Sequence, residues 1–189
     1  VNRAVLLDRD GVLVPDEGLL TDPGRLRLLP GVPAALTRLA AAGWRLAVVT
    51  NQPVVARGLI DEAGLAAIHR HLTDLILAAG GPRLDGIFAC PHHPEGTVAA
   101  YRQACACRKP RPGLLLAAAA AHGYDLARSW MVGDRPSDIA AGRAAGCRTI
   151  LAETGKHTAA PIRGAGWEAG TDPDHRCADL AAAAGIILA

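Results

Sequence analysis

Short, largely apolar runs alternate with stretches of helical spacing, and that alternation restricts the fold more than any other feature of the sequence. Ala4 to Leu7, Arg45 to Val49, Leu84 to Ala89, Ser129 to Val132 and Thr149 to Ala152 have the length and content of buried strands. Between them lie Val32 to Ala42, stopped by Gly43, and Asp61 to Ala79, capped by Asp61 and stopped by Gly80-Gly81. Gly113 to His122 and Ser137 to Ala145 follow as further helices, and Ala178 to Ala184 reads as a last short one. The segments Gly18 to Pro30 and Glu153 to Asp174 are rich in Gly and Pro and read as loops. Strands that alternate with helices predict an α/β fold. The form expected is a Rossmann-like three-layer sandwich with a mostly parallel sheet.

In such a sheet, ligands bind beyond the carboxyl ends of the strands. The reactive residues of this chain fall there. Asp8 and Asp10 follow the first strand, Thr50 and Asn51 the second, and Asp134 and Asp138 the fourth. Carboxylates gathered from two strand ends repel one another unless a cation sits among them. An oxygen-only ligand set favours Mg²⁺, which completes its shell with water and substrate phosphate. The convergence predicts an enzyme.

Composition narrows the partners. The net charge is +2 and aromatic residues make up 3% of the chain, which argues against a nucleic-acid partner. No apolar run is long enough to span a bilayer. A strand within Val1 to Leu7 leaves no room for a signal peptide ahead of it, so a cytoplasmic monomer is expected. The 189 residues fit one domain, 1–189. The segment joining the first strand to its helix and the insert after the third strand are too short to build a large cap domain.

That insert, about residues 90–109, carries Cys90-Pro91-His92-His93 and then Cys105-Ala106-Cys107. Three thiols and one imidazole close a tetrahedral Zn²⁺ site with no open position, which makes it structural. Zinc would staple a loop that lacks a core of its own. Cys90, Cys105 and Cys107 are the thiol ligands, with His92 favoured by spacing and His93 the alternative. Arg102, Arg108 and Lys109 are near enough in sequence to offset the negative charge of such a site. Cys147 and Cys177 read as small core residues.

Leu7-Asp8-Arg9-Asp10-Gly11-Val12-Leu13 resembles the first motif of the haloacid dehalogenase superfamily. Val49-Thr50-Asn51-Gln52 resembles the second, Arg108-Lys109-Pro110 the third, and Gly133-Asp134-Arg135-Pro136-Ser137-Asp138 the fourth. The resemblance implies a phosphatase acting on a small phosphorylated metabolite. Asp8 would be the nucleophile and Asp10 the acid and base. Thr50 and Lys109 would hold the phosphoryl oxygens. Magnesium would be bound by Asp8, Asp134 and the backbone carbonyl of Asp10. The cysteine insert is similar to a narrower branch, that of the heptose 1,7-bisphosphate 7-phosphatases and the histidinol-phosphate phosphatases, and resembles the heptose enzymes more closely. By that likeness Asn51, Gln52, Arg57, Arg108 and Arg135 would line the substrate pocket. A non-catalytic zinc-stapled binding module is the reading from another class, and the complete set of catalytic positions stands against it. Pro53-Val54-Val55 departs from the Ser-Gly-Ile usual in the branch.

Overall fold

The computed structural model describes residues 2–156 and 172–189. Six strands form one sheet: β1 (Ala4–Leu7), β2 (Arg45–Asn51), β3 (Gly86–Cys90), β4 (Trp130–Gly133), β5 (Arg148–Ala152) and β6 (His175–Cys177). Five helices join or follow them: α1 (Val32–Ala41), α2 (Glu62–Ala78), α3 (Gly113–His122), α4 (Pro136–Ala144) and α5 (Leu180–Leu188). The strand order is β3-β2-β1-β4-β5-β6 and every pairing is parallel.

The period of two along each strand feeds two cores. Val5 and Leu7 of β1 face α1, α2 and α5, packing with Leu36, Leu39, Ile68, Leu72 and Ile187. Ala4 and Leu6 face α3 and α4, packing with Leu114, Leu115, Ala118 and Ala141. Both layers are mainly aliphatic, as a chain poor in aromatics requires. The buried exceptions are Trp44, Tyr124 and Trp130, and the two tryptophans are covered on one face by the guanidinium groups of Arg3 and Arg148 at 4.3 and 3.8 Å.

Most boundaries shift by one or two residues from the sequence reading, and three differences have a clear physical reason. β2 runs on through Thr50 and Asn51, because β3 supplies ladder partners as far as Cys90. β6 was not expected: its three residues, His175-Arg176-Cys177, are too few and too polar to show a period, and they pair with Ile150 to Ala152. The last helix runs from Leu180 to Leu188 rather than Ala178 to Ala184, because the Asp179 carboxylate caps it by accepting from the Ala182 N–H. Most of the expected Glu153 to Asp174 loop, Trp167 and His157 included, lies outside the described residues. Among the described residues no helix is long and apolar enough to cross a membrane.

The order reverses between β1 and β4, since α1 and α2 pack on one face and α3 and α4 on the other. Such a switch point opens a crevice at the carboxyl ends of the strands. Asp8 continues the β1 ladder by one bond, its N–H donating to the Val132 carbonyl at 2.9 Å. Asp134 follows β4 directly. The topology therefore delivers the two carboxylates to one crevice.

Candidate active site and metal centres

The crevice closes tightly because two glycines let backbone press against Asp134. Gly11 has φ +80°, and a Cβ there would lie 2.4 Å from Asp134 Oδ2. A Cβ on Gly155 would lie 2.2 Å from the same oxygen. The turn after β1 and the segment after β5 thus press against Asp134. Thr154 donates its hydroxyl to the Gly11 carbonyl at 2.5 Å, and the Lys156 N–H donates to Asp134 Oδ2 at 2.6 Å.

Carboxylate oxygens of Asp8, Asp134 and Asp138 come within 4.8 Å of one another, all three side chains buried. Lys109 is the cation that partly balances them. Its Nζ lies 3.0 Å from Asp8 Oδ1 and 2.7 Å from Asp138 Oδ1, and it donates to the Val49 carbonyl at 2.7 Å. Burial works against the Lys109 charge, but Asp138 and Asp8 outweigh it and raise its pKa. One lysine cannot neutralise three carboxylates. Burial, then Asp138 and Asp8, push the Asp134 carboxyl up to about 8. Burial, opposed by Lys109, pushes Asp138 up to about 6. Asp134 Oδ1 is buried and has no hydrogen-bond partner among the described residues.

An orphaned carboxylate oxygen in an all-oxygen cluster of excess negative charge fits a hard dication such as Mg²⁺. Among the described residues no hydrogen bond reaches the Asp10 carbonyl. The Val14 N–H beside it donates to Arg9 instead, and the Gly11 N–H donates to Val14.

Asp10 stands at the mouth. Burial raises its pKa, Arg9 lowers it and Asp8 raises it, and the net direction is upward. A carboxyl shifted this way can carry a proton to a leaving group. It also lines a small open cleft with Val14, Pro15, Leu19, Leu20, Arg25 and Arg27. Thr50, fully buried at the end of β2, accepts from Gln52 Nε2 at 2.9 Å.

The thiols of Cys90, Cys105 and Cys107 lie 3.1–3.4 Å apart, and His92 Nδ1 lies 3.4 Å from Cys107 Sγ and 3.7 Å from Cys90 Sγ. All three cysteines are free. Tetrahedral zinc with Zn–S of about 2.3 Å implies edges of about 3.8 Å, so the four ligand atoms need move apart only by tenths of an ångström. His92, not His93, belongs to the cluster: His93 Nδ1 accepts from the Glu95 N–H at 3.1 Å. Arg108 donates to the His92 carbonyl at 3.1 Å and Arg111 to the Cys105 carbonyl at 3.0 Å, so both guanidiniums brace the loop. The expectation that Lys109 offsets the thiolate charge is corrected, because its amine is spent on Asp8 and Asp138.

Arg57 is exposed, Arg108 half-buried, and both Arg57 and Arg135 lie close enough to Arg108 to help depress its pKa, after burial. The three guanidiniums therefore lie near one another. Arg135 is partly engaged, pairing with Asp16 at 2.5 Å. Asn51 and Gln52, expected to line the pocket, have protein partners instead. The Asn51 amide pairs with both backbone groups of Lys109, donating at 2.9 Å and accepting at 3.0 Å. Gln52 is 4% exposed and binds Asp10, Arg9 and Thr50.

A haloacid dehalogenase-like hydrolase family model matches residues 16–143, and a HAD-hydrolase-like model matches residues 106–183. The D-glycero-beta-D-manno-heptose-1,7-bisphosphate 7-phosphatase of Rhodopseudomonas palustris is 45% identical over 143 residues, 76% of this chain and 79% of its own. The Escherichia coli K12 protein of the same name is 43% identical over 154 residues, 81% of this chain and 80% of its own. The chain belongs to the haloacid dehalogenase-like hydrolases. A crystal structure of D,D-heptose 1,7-bisphosphate phosphatase from B. bronchiseptica, complexed with magnesium and phosphate, superposes on this hydrolase with TM-score 0.82 and 38% identity over 98% of each chain.

The sequence reading placed Asp138 at the rim but gave it no role in the site. It sits at the third position of α4, where its Oδ2 accepts from the Arg135 N–H at 3.0 Å and its Oδ1 meets Lys109. An acidic residue three places into a helix that follows a strand-end aspartate was a visible signal. Asp16 and Lys156 were also missed. They pair with each other at 2.9 Å across the crevice, and a contact between residues 140 apart leaves no local pattern.

Proposed function

We propose that this hydrolase removes the 7-phosphate of D-glycero-D-manno-heptose 1,7-bisphosphate through an aspartyl-phosphate on Asp8. One observation carries the chemistry: Lys109 binds Asp8 and Asp138 together, beside an Asp134 oxygen that has no partner among the described residues. The names of the relatives at 43–45% identity and the phosphate in the related crystal structure support the substrate.

An Asp8 carboxylate oxygen attacks phosphorus as the bond from phosphorus to the leaving sugar oxygen breaks. Asp10 gives its proton to that oxygen. Asp10 then takes a proton from water, whose oxygen attacks the phosphoryl group and breaks its bond to Asp8. Inorganic phosphate leaves and Asp8 is again a carboxylate. Lys109 keeps Asp8 ionised and, with Thr50, meets the charge on the phosphoryl oxygens. Asp8, Asp134 and the Asp10 carbonyl would hold Mg²⁺, which supplies charge neutralisation to the phosphoryl group. Cys90, His92, Cys105 and Cys107 would hold a structural zinc. Arg57, Arg108 and Arg135 offer guanidiniums to the second phosphate.

All of these residues come from one sheet and its loops, so one domain of residues 1–189 is part of the proposal. A cytoplasmic location is another part, since free thiols at a zinc site need a reducing compartment. Phosphate release from the heptose bisphosphate and from histidinol phosphate, each with Mg²⁺, tests the reading. Release from the first should be Asp8-dependent and faster by at least about tenfold, the size of one lost phosphate contact. Equal rates for the Asp8→Asn protein, or a preference for histidinol phosphate, contradict it.

A further inference from the structure

Arg9 is a charged side chain with no solvent exposure, and no step above uses it. It stands in sequence between the two reacting aspartates; its backbone N–H donates to Asp8 Oδ1 at 2.8 Å, and its guanidinium meets the second. Nε lies 3.2 and 3.1 Å from Asp10 Oδ1 and Oδ2, and Nη2 lies 3.0 Å from Oδ1, so the guanidinium forks onto that carboxylate. Nη2 also donates to Gln52 Oε1 at 2.9 Å. Gln52 closes the ring from the other side, its Nε2 donating to Asp10 Oδ2 at 2.8 Å. Nη1 faces His69 Nε2 of α2 at 3.5 Å. Burial, and then Arg9, push the His69 pKa down to about 4. His69 is therefore neutral above that pH and can present a ring nitrogen as acceptor.

A buried guanidinium is costly unless its donors are satisfied, and a planar fork fixes the plane of the carboxylate it binds. Asp10 needs such a fix more than other residues of the crevice. Its carboxyl must meet a leaving oxygen in one step and a water in the next, and a displacement of about 1 Å in a reacting group costs about 100-fold. We propose that Arg9 is a positioning residue for proton transfer: its guanidinium, braced by Gln52 and His69, holds the Asp10 carboxyl in place for both steps. The inference rests on the aspartyl-phosphate reading and adds to it the group that aims the acid.

The test compares leaving groups. p-Nitrophenolate leaves without a proton, so transfer of phosphate from p-nitrophenyl phosphate to Asp8 does not call on Asp10, whereas hydrolysis of the aspartyl-phosphate does. In rapid-mixing experiments the Arg9→Met protein keeps the parent's rate of first nitrophenolate release and loses about 10- to 100-fold in steady turnover, leaving a burst. With the heptose bisphosphate its first step slows as well. Gln52→Leu, which takes one partner from Arg9 without removing charge, gives the same pattern on a smaller scale. Arg9→Lys, which keeps the charge and loses the fork, restores turnover only in part. If Arg9→Met fails to fold, Gln52→Leu and His69→Leu carry the test. Burst and turnover falling together would mean a merely structural role and overturn the proposal, as would variants that match the parent. A parent chain with no Asp8-dependent release would overturn the underlying reading too, an outcome distinct from a working parent with indifferent variants.

Discussion

Asp134 shows how a single side chain can report a missing counter-ion. It is fully buried, one of its oxygens accepts the Lys156 N–H, and the other has no partner among the described residues. In the protein alone, burial and the neighbouring carboxylates raise it from 3.8 to about 8. A carboxyl raised in the folded state binds more protons folded than unfolded between those values, so its contribution to stability is present at low pH and lost as pH rises. Without magnesium, the melting temperature should therefore fall as pH rises from about 5 to 8, a window set by that shift. Saturating Mg²⁺ should flatten the slope, because the cation favours the ionised form. Thermal melts across this range with and without Mg²⁺ measure both. A slope unchanged by magnesium would place the ion elsewhere. The sequence displayed the carboxylates, but it could not display this coupling, which depends on Gly11 and Gly155 letting two backbone segments close on Asp134.

At the scale of elements, the zinc loop and the segment after β2 behave as one unit. The Val98 N–H donates to the Ala56 carbonyl at 3.0 Å, and the Ala56 N–H to the Pro91 carbonyl at 3.2 Å. Val54, Val55 and Leu65 form a small core of their own, against which Tyr101 of the loop packs. At the Pro53-Val54-Val55 departure, Val54 gives this core apolar surface that the glycine of the Ser-Gly-Ile pattern would lack, and nothing in the structure explains Pro53. The cysteine spacing made the loop legible and favoured His92 over the adjacent His93, and the backbone path brings His92 into the cluster. His92→Ala should release the zinc, whereas His93→Ala should keep one ion per chain; metal analysis of the purified proteins decides. Loss of zinc should also cut turnover with Mg²⁺ present, since Lys109 lies two residues from Cys107. The role of the Asn51 amide in clamping Lys109 was equally hidden, the partners being 58 residues apart. Elements lacking a period, such as β6, were hidden for the same reason that they are short.

For the whole molecule, the strand order carries the account. A sheet that reverses between β1 and β4 must bring the residue after Leu7 and the residue after Gly133 to one crevice, whatever the loops do. The fold and the reactive carboxylates were readable from alternation alone for this reason, whereas the pairing of Asp16 with Arg135 and Lys156 across the mouth was not. The central claim is that the crevice makes Asp8 a phosphoryl acceptor. Acid quench during turnover of the heptose bisphosphate, followed by mass spectrometry of the peptide holding Asp8, tests it directly. The account predicts a peptide heavier by one phosphoryl group, localised to Asp8 and lost in Asp8→Asn. An unmodified Asp8 during active turnover, with Asp8→Asn still hydrolysing substrate, would contradict it.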